Sequence, residues 1–240
     1  MSADANAADV RVGGEIVEHF HDFGIAAFTT GRQAGSFGLH TDEPVREVIA
    51  RWTALRTQLG GPAARVATSS QVHGSHVVRH RAGWRGWLRG EEADGHLSDE
   101  RGTAMAVTVA DCVPVFLAHP SGAAAVLHSG WRGTEARIVE VAISQLDALG
   151  LRADELRMHC GPAICGRCYE VSPEVYLRLT GHSVDRPTKV DLRALIAGHA
   201  HALGVRDISI SELCTRCDND RFFSHRAGDS GRQLGVIVAP

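Results

Sequence analysis

Two imidazoles and one thiolate stand in three short segments: His73 in QVHGSHV (71–77), Cys112 in TVADCVPVF (108–116) and His128 in LHSGWRG (127–133). Such a donor set can hold a zinc ion and leave its fourth position open, which separates a catalytic zinc from a structural one. The metal can then lower the pKa of bound water or polarise a substrate oxygen. No compact C-x-x-C…H-x-x-x-H pattern joins the three, so spacing leaves other readings open. Cys112 also reads as a buried thiol, and His73 and His128 as histidines capping the core. Asp111 precedes the cysteine, where it can orient a ligand. With His76, it is the nearest candidate for moving protons. Arg132 follows a Gly-Trp corner, where a guanidinium can grip phosphate in two-point geometry or lie on the surface binding nothing. Trp131 reads as core or as a platform for a base.

A second cluster consists of Cys165-x-x-Cys168 and Cys214-x-x-Cys217, with Cys160 nearby. Paired C-x-x-C motifs suit a closed structural metal site. Four reduced thiols and a redox pair are the alternatives.

The elements that must position these groups follow from periodicity. Residues 15–30 alternate weakly and suggest a strand or two. Thr41 or Asp42 is placed to cap a helix with Val45, Val48, Ile49, Trp52, Leu55 and Leu59 inward, closed by Gly60-Gly61. Residues 66–69 and 77–78 read as short strands around His73. The stretch 82–102 is rich in Gly, Arg and Glu and reads as exposed. Three apolar runs, 104–109, 113–118 and 123–127, read as buried strands in close succession, a turn at 119–122 separating the last two. Cys112 then lies at a strand boundary and His128 at the end of the next strand. Neighbouring strands lie about 4.8 Å apart, so both can reach one metal. Thr134 is placed to cap a helix with Ile138, Val141, Leu146 and Leu149 inward and Gly150 at its end. Ser172-Pro173-Glu174 starts another helix. Asp191 caps a further one, with Leu192, Leu195, Ile196 and Leu203 inward and Gly204 closing it. Strands at 208–211 and 234–239 complete a mixed α+β pattern.

The chain has 240 residues, 44% hydrophobic and 22% charged, with net charge −3. That suits one large domain, or two small ones, with a sizeable core and shows no nucleic-acid footprint. No apolar run nears the roughly 20 residues that span a bilayer. Residues 1–14 read as a disordered leader, lacking the basic and apolar regions of a signal peptide. A cytoplasmic location is expected. There, six cysteines suit metal ligation or buried thiols better than disulfides.

The segments QVHG, TVADCVPV, HSGWRG, GPAICGRCYEV, DLRALIAGHAHALGV and CTRCDNDRFFSHRAGDSGRQLGVI follow one another in a familiar order. From about residue 20 to 238 the chain resembles the laccase-domain family, also called the multicopper polyphenol oxidoreductase or peptidoglycan editing factor family. The resemblance implies a single catalytic domain over 15–240. Its fold would be α+β, of the cytotoxic-necrotizing-factor-like type, with mixed sheets packed against flanking helices. It implies one zinc ion on His73, Cys112 and His128. The implied activity is phosphorolysis of adenosine, inosine, guanosine or methylthioadenosine, with inorganic phosphate as co-substrate, together with adenosine deamination. Amide hydrolysis that edits peptidoglycan precursors, and copper-dependent polyphenol oxidation, are the alternatives in the same family. A non-catalytic, zinc-stabilised binding protein is a further one. Multicopper oxidation calls for many paired H-x-H histidines, and this chain has only His19-x-His21 and His199-x-His201.

Cys168 and Cys214 match cysteines common in the family, whereas Cys165 and Cys217 are additions. Family members often carry Asn-Leu-Gly where this chain has Ser36-Phe37-Gly38-Leu39-His40, which leaves the preferred base open. In the closing segment Phe222 and Phe223 read as core. Arg226 and Arg232 read equally as pocket supports or surface residues.

Overall fold

The computed structural model describes residues 11, 13–60 and 65–239. Most of the expected leader, and Gly61 of the expected helix stop, lie outside the described residues. In chain order the strands are Glu15–Ile16 (β1), Ala26–Thr29 (β2), Arg65–Ser70 (β3), Val77–Arg79 (β4), Gly86–Glu92 (β5), Gly95–Ser98 (β6) and Thr103–Val109 (β7). They continue with Val113–Ala118 (β8), Ala124–Ser129 (β9), Arg157–Cys160 (β10), Glu170–Val171 (β11), Thr188–Lys189 (β12), Asp207–Ile210 (β13) and Gln233–Ala239 (β14). The α-helices are Val45–Gln58 (α1), Trp131–Glu135 (α2), Ile138–Asp147 (α3), Pro173–Thr180 (α4) and Leu192–Ala202 (α5).

Two six-stranded sheets run β1-β2-β14-β7-β3-β5 and β13-β10-β8-β9-β6-β4, and β11 pairs with β12 alone. Both large sheets are mixed: β3 lies parallel to β5 and β7, β10 to β13, and β4 to β6. Their inner faces pack together, Phe116, Ala118 and Val126 of the second sheet against Ala67, Met105, Val107 and Ile237 of the first. On β8 and β9, Val113, Val115, Leu117 and Leu127 face the other way, onto Ile138, Ile143 and Leu146 of α3 and Ile196 of α5. On the first sheet, Val66, Ala104, Leu234 and Val236 meet Val48, Trp52 and Leu55 of α1. The layers are therefore α1, first sheet, second sheet, then α3 with α5. Strands covered on both faces read as unbroken apolar runs, not as alternation. The fold is the expected α+β arrangement of mixed sheets with flanking helices.

Several local expectations are corrected. Pro44 stands at the N-cap of α1 without a side-chain cap, so neither Thr41 nor Asp42 holds it, and Val45 and Ile49 face solvent. Thr134 does not start a helix. It lies inside α2, its hydroxyl donating to the Gly130 carbonyl at 2.9 Å, and the left-handed Arg137 (φ 58°) divides α2 from α3. The stretch 82–102 is not an exposed loop: it holds edge strand β5 and the fully buried β6, paired between β4 and β9. Its charged composition concealed a buried strand with small side chains. At Gly95 a Cβ would lie 2.7 Å from Leu127. Leu203 is exposed, and Phe223 is only half-buried, under the Arg32 guanidinium at 4.5 Å. The caps at Ser172 and Asp191 form as expected, accepting the amides of Val175 and of Arg193 and Ala194. No described helix is long and apolar enough to cross a membrane.

The three apolar runs do not lie side by side. β8 and β9 form the expected hairpin, but β7 belongs to the first sheet. Residues 110–112 therefore carry the chain from one sheet to the other, as residues 71–76 do between β3 and β4.

Candidate metal centre

These two crossings bring the donors together. Pro114 pairs with His128 across the β8–β9 hairpin, which sets Cys112 beside the chain that leaves β9. His73 arrives on the other crossing. The ligand atoms of His73, Cys112 and His128 all lie within 4.8 Å of one another. The two imidazole rings stand edge to face, centroids 4.8 Å apart. Gly130 packs directly on the thiol, where a Cβ would fall 2.8 Å from Sγ.

Two carboxylates shape the crossings. His73 and Asp111 are two of the three described non-glycine residues with positive φ, 61° and 80°. Such strain persists only where the surroundings enforce it. Fully buried Asp94 does so for His73: Oδ1 accepts the His73 amide (2.9 Å), and Oδ2 accepts those of Val72 (3.1 Å) and Gly74 (2.7 Å). Asp94 Oδ1 also accepts Nδ1–H of His128 at 2.8 Å. That sets Nδ1 as the protonated nitrogen and leaves Nε2 free within the donor cluster, the support a metal-ligating histidine would need. Asp111 Oδ1 accepts the Thr215 hydroxyl (2.6 Å) and Oδ2 the Arg226 amide (2.7 Å). Asp111 thus ties the Cys112 crossing to the 214–226 segment and touches neither histidine. Asp94, which the sequence reading missed, is the histidine's partner.

Burial disfavours charge on both Cys112 and His128, yet each charge compensates the other. The imidazolium holds the thiol down at about 6. The thiolate and Asp94 lift His128 to about 9. Burial likewise opposes ionisation of Asp94, but His128 and the Gly74 amide keep its carboxyl below the ordinary range. A thiolate with two imidazoles, one held as its Nδ1–H tautomer, fits zinc in chemistry and spacing.

These values set a pH dependence. Zinc requires thiolate and neutral imidazole. Between about 6 and 9 the metal-free pair is thiolate and imidazolium, so binding must expel one proton, from His128. Below about 6, Cys112 must lose one as well. Chelator-competition titrations should show zinc affinity rising about tenfold per pH unit between 6 and 9, more steeply below and levelling above. A flat profile across that window would remove the ion pair.

A cavity of about 500 Å³ opens over the three donors, a size that suits a small molecule. Ile164, Tyr169 and Leu192 give it an apolar side. Arg132, Arg226, Arg232 and His225 also line it. Arg226 lies over the Tyr169 ring (4.9 Å) and donates to the Glu170 carbonyl (3.0 Å). Arg232 donates to three carbonyls, at 229–231. Arg132 lies over Trp131 (4.3 Å) and, among the described residues, meets no carboxylate. His225, missed as a site residue in sequence, has no ring hydrogen bond among the described residues; only its imidazole in the closing segment pointed to it. His76 does not line the cavity and its Nδ1 meets the Glu92 carbonyl. The H-x-H pairs lie elsewhere: His19 on Asp207 (2.9 Å), His21 on Glu18, and His199 and His201 on α5. A second cavity, sharing Gln71, Thr108 and Arg232 with the first, is lined by Phe37, Gly38, Leu39 and His40, the segment without the asparagine.

Known proteins resemble this chain in sequence and in fold. A protein of Streptomyces coelicolor named purine nucleoside phosphorylase is 36% identical, over 82% of this chain and 84% of its own length. One of that name from Deinococcus radiodurans is 35% identical, covering 89% and 88%. The crystal structure of YlmD from Geobacillus stearothermophilus superposes with a TM-score of 0.83 at 27% identity, over 91% of this chain and 93% of that one. That of the hypothetical protein YfiH from Bacillus licheniformis gives 0.85 at 22% identity, over 95% and 96%. The family model described as multi-copper polyphenol oxidoreductase laccase matches residues 27–240, and the chain belongs to that family.

Proposed function

We propose that this chain is a zinc-dependent enzyme of purine nucleosides, cleaving them with inorganic phosphate to free base and ribose 1-phosphate. The observation that carries this reading is an open three-donor centre at the foot of a cavity edged with cations. Relatives named purine nucleoside phosphorylase support it. A zinc ion held by His73, Cys112 and His128 would supply a Lewis acid for a substrate oxygen or nitrogen. Arg132, free of carboxylates and steadied on Trp131, is suited to hold phosphate by two-point hydrogen bonding. Ile164, Tyr169 and Leu192 bury the nucleoside's apolar faces and exclude water. A phosphate oxygen bonds to the anomeric carbon while the bond to the base nitrogen breaks, its electron pair leaving with the base. The base then takes a proton, and His225 is the cavity imidazole free to deliver it. The distant H-x-H pairs favour this reading over copper-dependent oxidation of phenols.

The test is turnover of adenosine, inosine, guanosine and methylthioadenosine, with and without phosphate, products identified by mass. Zinc-loaded wild type should give free base and ribose 1-phosphate only with phosphate, and Cys112→Ala should lose at least about 10³-fold. Phosphate-independent inosine from adenosine would establish deamination at the same centre. Silence on all four nucleosides would reject the nucleoside reading in favour of amide hydrolysis on a cell-wall precursor.

A further inference from the structure

We infer that Cys165, Cys168, Cys214 and Cys217 form a second, closed metal site, a structural zinc that staples together two segments of the cavity wall. The two C-x-x-C turns are 49 residues apart in sequence yet meet beside the bridge between Ala163 and Cys214. All four sulfur atoms lie within 4.8 Å of one another, and those of Cys168 and Cys217 are 3.4 Å apart. A tetrahedral zinc with bonds of about 2.3 Å to sulfur needs sulfur–sulfur edges of roughly 3.8 Å. The cluster is thus already near that size. Four thiolates fill a tetrahedral ion and leave no open position, which makes the site structural. An all-sulfur donor set selects zinc over hard cations.

The backbone is folded for thiolates. The amides of Cys165 and Cys217 both donate to Cys214 Sγ, at 3.2 and 3.4 Å. The Cys214 amide donates to Asp218 Oδ2 at 2.8 Å, and the Cys168 amide to the Cys165 carbonyl at 2.9 Å, closing each turn. Zinc with four thiolates carries two net negative charges, and each turn contains one arginine, Arg167 and Arg216. Arg216 reaches across to the Cys168 carbonyl at 3.3 Å.

The staple's position gives it a purpose. Next to Cys168, Tyr169 lines the main cavity. Next to Cys214, Thr215 holds Asp111, and through it the crossing that carries Cys112. Gly166 packs on Asp191, where a Cβ would sit 2.9 Å from the Asp191 Cβ, so the first turn also seats the start of α5. The cluster therefore steadies Tyr169 and the Cys112 crossing while its four cysteines stay out of the cavity lining.

The test counts zinc in the full chain, purified without chelator, by elemental analysis, beside its intact mass under non-reducing, denaturing conditions. Wild type should carry two zinc ions per chain, and Cys112→Ala and the double variant Cys165→Ser/Cys217→Ser one each, with all thiols reduced by mass. Hydrogen exchange over residues 161–172 and 211–218 should quicken in the double variant alone. If the double variant does not fold, the same question is put to metal-free Cys112→Ala, whose four cysteines are intact. One equivalent of cobalt(II) should then give the intense visible bands of a tetrahedral thiolate complex. One zinc in wild type that vanishes in Cys112→Ala, a mass deficit showing disulfides, or weak octahedral cobalt absorption would each overturn the proposal. The count does not depend on turnover, so it stands or falls apart from the nucleoside activity.

Discussion

Asp94→Asn is expected to lower zinc affinity by about 10- to 100-fold, the usual cost of removing a partner that orients a ligating histidine. Both carboxylate oxygens of Asp94 act only as acceptors. One takes the His73 amide and His128 Nδ1–H, the other the amides of Val72 and Gly74. An amide has one acceptor and one donor, so either orientation sets an NH2 group against N–H donors. If the oxygen faces His128, the Val72 and Gly74 amides are orphaned, at about 1–3 kcal/mol for each buried group. If the NH2 faces His128, the ring must move its proton to Nε2, the atom meant for the metal. Either way the left-handed turn at His73 loses part of its support. Asp111→Asn is the control. Asp111 bonds to Thr215 and Arg226, not to the histidines, and an asparagine there can still accept the Arg226 amide and donate to the Thr215 hydroxyl, so the Cys112 crossing is kept and zinc affinity should stay within about threefold. Chelator competition on both variants checks this. Zinc loss in Asp111→Asn with none in Asp94→Asn would reverse the assignment.

That contrast shows where sequence reasoning stops. Strand spacing placed Cys112 and His128 at neighbouring strand ends within reach of one ion, but it left a buried thiol and core histidines open, and His73 joined them as a ligand only through the resemblance to the family. The caps at Ser172 and Asp191 were legible because a cap is a local matter, settled within about three residues. Asp94 was not legible. It lies 34 residues before the histidine it supports, in a stretch whose glycines and charges read as a surface loop. Its faint signal is an Ala-Asp-Gly step set in a charged run, at the start of a buried strand. Asp111 was assigned by adjacency to Cys112, but its positive φ turns the side chain toward Thr215 and Arg226. The sheet membership of β7 was likewise hidden, because a buried strand looks the same in either sheet. That crossing nevertheless positions Cys112. The meeting of the two C-x-x-C turns was suggested by their matched spacing, while their neighbours Tyr169 and Thr215 gave no sign of reaching the cavity.

Gly130→Ala should weaken zinc binding by tenfold or more while leaving the metal-free fold almost unchanged. The backbone at Gly130 has φ −81° and ψ −173°, which any residue adopts, so no strain arises there. At this N-cap position glycine already lacks a capping side chain, and alanine costs at most about 1 kcal/mol more. The new methyl group, however, falls 2.8 Å from Cys112 Sγ and 3.5 Å from His73 Cδ2. Cysteine has a single side-chain torsion, so its sulfur can yield only by swinging away from the two imidazoles. Metal–ligand distances tolerate shifts of about 0.2 Å, and relieving this contact takes several times that. Chelator competition on the loaded protein and thermal unfolding of the metal-free protein separate the two effects. Unchanged zinc affinity in a folded Gly130→Ala protein would mean that Cys112 does not bind metal from this position, and the three-donor centre would have to be redrawn without its thiolate.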